Sequence, residues 1–382
     1  MMPTLMNRNV ELCELSIDTG TLSFSKARSI SQTHLFPFAN PASWQAQDVL
    51  PRLNSWWAKR RASYLASYSG ARTQLKARLE ASFGTPLEAM PFRSYGLSLS
   101  DHYWLRPEKS IKWEDVNFFD NDFSLDVSYA VMGQPSTGKN AYSPDLATSG
   151  RRIKTWVPMG SERWLAKRGS ILQPSAHAEL LGNKVMRLAL PDEYVADMKI
   201  AEAGNERCSM TRNVATKETE IVCMDKLLPM RAAGIEAYRL CKEVCEEHWP
   251  IIDLVLIADY ILMYGNRGLD NIGMIRSART GRLLYPAPVW NSALGLGNYQ
   301  ASMPFLRDFD EQAALVDITA YRDQIEAIID GLEDAFAETL GMADPPEDVE
   351  TALAGCKARA KKLLAMDTSR RFVFFYGNTA KW

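Results

Sequence analysis

The chain is poor in the features that mark several large function classes. It has no surplus of positive charge, 44 Lys and Arg against 46 Asp and Glu in 382 residues, so no net field draws it onto nucleic acid or an anionic membrane without sequence preference. The six cysteines are scattered at positions 13, 208, 223, 241, 245 and 356, which suits reduced thiols better than a disulfide framework. Cys241 and Cys245 lie one helical turn apart, but no His or Cys pair elsewhere completes a tetrahedral zinc site, and core packing is the expectation. No apolar stretch approaches the length of a bilayer, and no apolar run follows a basic N-terminal one. Both absences point to a cytoplasmic protein without a membrane partner. There is no internal repeat.

What is present is ample material for a core, 46% hydrophobic residues with 24% charged, at a length that favours two or three sub-domains. Residues 53 to 84 carry apolar side chains at helical steps and stop at Gly84, and the trio Lys59, Arg60 and Arg61 on that pattern is expected to be a solvated helix face. The aromatic stretch SLSDHYWLRPEKSIKWEDVNFFDNDFS keeps neither helical nor strand period, so it is expected to wrap over a surface on its aromatic anchors. Short strands follow in IKTWVPM, RWLAKRG and TEIVCMDKL, with a helix starting near Pro174 between them. From about residue 231 the pattern is helical. Strands in the middle and helices at the end argue for an α+β fold. The expected division is 1–93, a mixed and helical region; 94–228, a sheet lobe; and 229–382, a helical lobe.

Three stretches carry candidate chemistry. GQPSTGKN, Gly133 to Asn140, nearly matches a P-loop, but Asn140 replaces the hydroxyl that would hold Mg²⁺, and a true P-loop is not expected. SPDLATSGRRIKTW is a turn of small residues, with Ser149 and Gly150, leading through Arg151, Arg152 and Lys154 into a strand. Backbone amides in such a turn can cradle phosphates, and the basic side chains add charge. Lys167 then sits in an apolar strand, and Glu179 lies twelve residues on in a helix. A strand lysine with a helix glutamate is how kinase folds fix the phosphates of ATP, although an ordinary ion pair is the simpler reading. Asp259, in LIADYIL, is expected to brace the helical core, and His102 and His177 are expected to pack or lie at the surface.

With LMYGNRGLDNIG and LLYPAPVWNSALGLG added, the chain resembles the HipA-like serine/threonine kinases over most of residues 94 to 310. It is closest to the branch that carries an SLSDHYWLRP-type segment ahead of the kinase core. The resemblance implies a protein-kinase-like two-lobed fold with a small sheet-containing N-lobe and a helical C-lobe. It likens SPDLATSGRR to the phosphate loop, WLAKRG to the ATP-lysine strand and PSAHAELLGNKV to the glutamate helix. Met224 and Asp225 would then stand at the nucleotide hinge. In that family the catalytic loop opens on an Asp, and an Asp in the Ala-Pro block binds Mg²⁺. Here those positions are Asn266 and Asn291, while Arg267 and Asn271 are retained.

An amide matches a carboxylate in size but carries no charge, so it neither takes a proton from an acceptor hydroxyl nor neutralises a cation. A general base contributes roughly 10²–10⁴-fold to a rate. The implied protein is therefore a pseudokinase that binds ATP, a protein partner or both, with Mg²⁺ doubtful. The alternatives are an active kinase using Asp270, four residues past Asn266, and an interaction module with a closed cleft. The tail RRFVFFYGNTAKW is expected to be a buried last element.

Overall fold

The computed structural model describes residues 2–38, 46–62, 69–145, 153–168, 176–203, 206–229, 232, 234–265, 267–293, 316–341 and 349–366. The chain divides into two compact units, 1–169 with 201–222 and 275–284, and 170–200 with 223–274 and 285–382. This division cuts across the three parts expected from the sequence. The reason is strand pairing at long range: β4 (Tyr103–Arg106) lies beyond residue 93 yet pairs antiparallel with β1 (Thr4–Asn7).

The first unit opens with a four-stranded sheet in the order β3-β2-β1-β4, with β2 spanning Val10–Asp18 and β3 Ser23–Arg28. Strands therefore come first in the chain as well as in its middle. Leu5, Tyr103 and Leu105 face a core shared with Leu53, Trp56 and Trp57 of helix α1 (Ala46–Ala62). Met6 and Trp104, one step along each strand, face a second core with Trp113, Phe118 and Phe123. The aromatic stretch is thus interior, where it was expected to lie over a surface. Strands β1 and β4 are buried on both faces, so the polar alternation that would have marked a strand is missing. The helical pattern before Gly84 is two helices, α1 and α2 (Ser69–Phe83). Residues 134–145 after α3 (Asp126–Met132) form no helix, and the Thr137 hydroxyl and amide donate back to Asp126, which leaves no P-loop geometry.

A second sheet runs β5-β6-β8-β7, made of β5 (Lys154–Met159), β6 (Glu162–Arg168), β7 (Met198–Ala203) and β8 (Glu206–Arg212). A third has the order β11-β10-β9, with β9 spanning Thr219–Cys223, β10 Gly273–Ser277 and β11 Leu283–Pro286.

The second unit is built on helices α4 (Ala176–Ala189), α5 (Gly234–Cys245), α6 (Pro250–Leu262), α7 (Arg322–Leu340) and α8 (Val349–Leu364). Every residue of α6 from Ile251 to Leu262 is buried, which makes it the central helix of this unit. Pro250 starts it at a position where no amide partner is lost. Cys241 and Cys245 are buried, and Cys245 Sγ lies 3.7 Å from Met274 Sδ, a packing role as expected. Among the described residues no helix is long and apolar enough to cross a membrane.

Two buried ion networks lie in the first unit. Arg60 is 1% exposed rather than part of a solvated face, because Asp101 and Asp145 both pair with it; the Arg61 side chain lies outside the described residues. The other network joins Arg276 Nε to Glu220 Oε1 at 2.7 Å, Arg276 Nη2 to the Tyr103 hydroxyl at 2.5 Å, and that hydroxyl to the Leu35 carbonyl at 2.6 Å. His102 stacks on Phe119 and donates from Nε2 to the Thr216 carbonyl, with Nδ1 3.4 Å from Glu220.

Burial works to raise the Glu220 carboxyl, but Arg276 and then the His102 bond outweigh it and hold its pKa at about 2. A depressed carboxylate contributes stability above its unfolded pKa and loses it as pH falls through the folded one. The contribution of Glu220 is thus complete above about pH 4.5 and disappears toward pH 2, an amount on the order of 3 kcal/mol. The expected outcome is that Glu220→Gln lowers the urea midpoint at pH 7 and that the gap to the unsubstituted chain closes between pH 4.5 and 2. A gap that stays constant over that interval would contradict the assignment.

Candidate functional site

The loop after α6 is organised by one buried cation. Helix α6 ends at Met263 in the left-handed conformation, φ 52°, and the chain turns back through Tyr264 and Gly265. Asn266 lies outside the described residues. Arg267, fully buried, donates from Nε to Asp259 Oδ2 at 2.9 Å and from Nη2 to Asp259 Oδ1 at 3.0 Å. Its remaining arm, Nη1, donates to the Asn271 carbonyl at 3.0 Å, and the guanidinium lies over the Tyr264 ring at 4.8 Å. Burial opposes the charge on Arg267, but Asp259 beside it keeps the guanidinium protonated.

Arg267 was a candidate catalytic residue. With its two ends committed to Asp259 and to Asn271 inside the protein, it shapes the loop. Asp259 braces the helical core, as expected, and breaking such a buried pair costs about 3–5 kcal/mol.

Gly268 and Asn271 close a tight turn, Asn271 N–H to Gly268 O at 2.8 Å. Asp270, at the turn, is exposed, and its carboxylate lies back over Gly268. Asn271 is buried, and its side-chain Oδ1 accepts a bond from Asn291 Nδ2 at 3.2 Å. Asn291 is held in place from behind: Val289 bridges Val195, its amide donates to Tyr194 O at 2.8 Å and its carbonyl accepts from Ala196 N at 3.0 Å. The Ala196 carbonyl in turn accepts from Asn183 Nδ2 of α4 at 2.9 Å.

Helix α4 meets this loop through Gly182, a contact that the sequence pattern did not reveal. A Cβ at Gly182 would stand 2.6 Å from Ala293 N and 2.8 Å from Ser292 C. The only signal was a glycine in the middle of an otherwise apolar helix. Glu179, one turn earlier on α4, is 1% exposed. It belongs to the second unit, whereas Lys167 belongs to the first.

The hinge candidates Met224 and Asp225 begin a one-turn helix, Met224–Leu227. Met224 is fully buried, its N–H donates to Ile272 O at 2.9 Å, and the Asp225 N–H donates to Leu269 O at 3.0 Å. Their amides therefore brace the 269–272 loop.

In the first unit, Lys154 of β5 stands directly opposite Lys167 of β6. Opposed residues of an antiparallel pair share one face, so two cations, each 5% exposed, lie side by side. Like charges so placed destabilise a sheet unless anionic groups lie close to them. Ser149, Gly150, Arg151 and Arg152 lie outside the described residues.

These donors define what the second-unit site can hold. Mg²⁺ selects carboxylate and phosphate oxygen, and the two side chains where the family resemblance puts a metal are amides bonded to each other. Among the described residues no group of three or more His, Cys, Asp or Glu is placed to hold a metal ion. Among the described residues, this amide pair lacks the negative charge that a divalent cation favours.

No protein-family model matches the chain, and no curated protein does. Among solved structures it is similar to HipA of Shewanella oneidensis MR-1, solved with HipB and its operator DNA. The TM-score is 0.58 at 11% identity, over 96% of this chain and 98% of that one. A second similarity, to the proinflammatory kinase CtkA of Helicobacter pylori, has a TM-score of 0.42 at 10% identity, over 57% of this chain and 94% of that one. The chain has an α+β fold like that of HipA.

Gly182→Ala is expected to destabilise the fold by about 1–2 kcal/mol, read as a lower urea midpoint, because backbone atoms must move to admit the methyl group, and this outweighs the ~1 kcal/mol that alanine contributes in a helix. Gly331→Ala on α7 is the control. There the added carbon meets the flexible end of the Leu188 side chain, and no loss is expected. The reverse order would contradict the close packing of α4 on the Ser292–Ala293 backbone.

Proposed function

We propose that this protein is a pseudokinase: it binds ATP on a kinase-type fold, without the divalent-dependent phosphoryl transfer of an active kinase, and acts through a protein partner. The observation that carries the reading is the Asn291 to Asn271 side-chain bond of 3.2 Å. An Asp at 291 would bring a negative charge that calls for a cation. An amide needs none, because it is neutral and its Nδ2 donates to Asn271 Oδ1.

The same exchange supports binding of the nucleotide without metal. A triphosphate approaching two carboxylates is repelled unless Mg²⁺ stands between them, and amides remove that repulsion. Positive charge is supplied in the first unit by Lys154 and Lys167. Asn266, at the position of the family's catalytic Asp, has no proton-accepting charge. The likeness to a protein solved together with its partner supports the search for a protein partner here. The competing reading is transfer through Asp270, which has the exposure of that carboxylate in its favour.

Titration calorimetry with ATP, once in Mg²⁺ and once in EDTA, separates the two. The expected result is equal affinity in both, weakened about tenfold or more by Lys167→Ala through loss of a charge-assisted bond. Binding that requires Mg²⁺, and loses that requirement in Asp270→Asn, would favour the competing reading.

A further inference from the structure

The residues ahead of the kinase-like part raise the question of why a cation is buried among them. Arg60 of α1 donates from Nη1 to Asp145 Oδ2 at 2.7 Å and to the Gly96 carbonyl at 2.5 Å, and from Nη2 to Asp101. Its guanidinium lies 4.6 Å from the centre of the Trp56 ring. The two carboxylates are 41 and 85 residues distant in sequence. Stability alone is a weak reason to keep such a group, because well-packed apolar residues often replace buried ion pairs without loss. Geometry is a better reason, since a planar fork can fix two carboxylates at once.

Asp145 is where that geometry leads. Its Oδ1 accepts from Ser98 Oγ at 3.3 Å, its amide donates to Leu97 O at 3.3 Å, and its carbonyl accepts from the Trp156 indole Nε1 at 3.0 Å. Trp156 lies two residues along β5 from Lys154, on the same face, and opposite Leu165, as Lys154 is opposite Lys167. Buried hydrogen bonds therefore run from α1 through Asp145 to Trp156, which shares its strand and face with Lys154.

The geometry points to Arg60 as a positioning residue for nucleotide binding: through Asp145 and Trp156 it sets the strand that carries Lys154 against the strand that carries Lys167. The inference rests on the nucleotide-binding reading above. It gives the N-terminal helix a role in the site, since the helix holds the strand on which one of the two lysines stands.

The test compares Arg60→Lys and Asp145→Asn with Leu12→Ala, a core truncation in the N-terminal sheet. Lysine keeps the charge but lacks the fork, and asparagine keeps the shape but lacks the charge, so either variant alone suffices if the other fails to fold. ATP affinity is measured by calorimetry well below each melting temperature, together with hydrogen exchange at the amides of 153–157. The expected result is about a tenfold weaker ATP complex and faster exchange in β5 for both site variants, as misplacement of a binding group produces. Leu12→Ala should match their loss of melting temperature and leave both readouts unchanged.

Unchanged affinity in the folded site variants overturns the role, as does an equal loss in Leu12→Ala. If the unsubstituted chain binds no ATP, the nucleotide reading fails and the role falls with it. Faster β5 exchange would then mark Arg60 as a structural anchor alone.

Discussion

The pairing of Arg267 with both oxygens of Asp259 is the constraint on which the second unit's loop depends. A guanidinium wholly out of water must be answered by charge and by hydrogen bonds, and the pair provides both at once. Because Asp259 stands on the central buried helix, the loop is anchored to the most rigid element of its unit. The third bond of Arg267, to the Asn271 carbonyl, carries that anchorage to the residue whose side chain meets Asn291. A loop so held keeps its shape independently of the side chains at its other positions. That separation of shape from reaction is compatible with the pseudokinase reading proposed above.

The first unit repeats the device. Arg60 and Arg276 are each buried against carboxylates supplied by distant segments, Asp101 and Asp145 for one and Glu220 for the other. Each network joins the N-terminal part of the chain to later residues of its unit: Arg276 also meets the Phe36 carbonyl at 3.3 Å and, through the Tyr103 hydroxyl, the Leu35 carbonyl. These bonds explain why residues ahead of the kinase-like part form one compact unit with residues 201–222 and 275–284. Apolar packing alone is permissive about register, whereas a fork that must meet two particular oxygens is not.

Much of the fold was legible in the sequence where one physical signal dominated. Strands β5 and β6, the glutamate helix α4 and the long apolar helix α6 lie where their patterns put them. What escaped detection was interior on both sides or depended on partners far along the chain. Strand β4 hides in SDHYWLRP because both of its faces are buried, and the burial of Arg60 cannot be inferred from a basic trio on a helix. That the amides of Met224 and Asp225 bond to the loop at 269–272 came only with the fold. Gly182 could be noticed but not interpreted without the Ser292–Ala293 backbone against it. The replacement of two acidic positions by Asn266 and Asn291 was visible from the sequence, whereas the bond from Asn291 to Asn271 came only with the fold.

The most direct test of the account is to return the charge at position 291. In the unsubstituted chain the amide pair leaves no demand for a cation, so ATP affinity should not respond to a Mg²⁺ titration. Asn291→Asp should create that response, binding ATP more weakly than the unsubstituted chain in EDTA and regaining affinity as Mg²⁺ is added. A full Mg²⁺ response already present in the unsubstituted chain, unaltered by Asn291→Asp, would contradict the account.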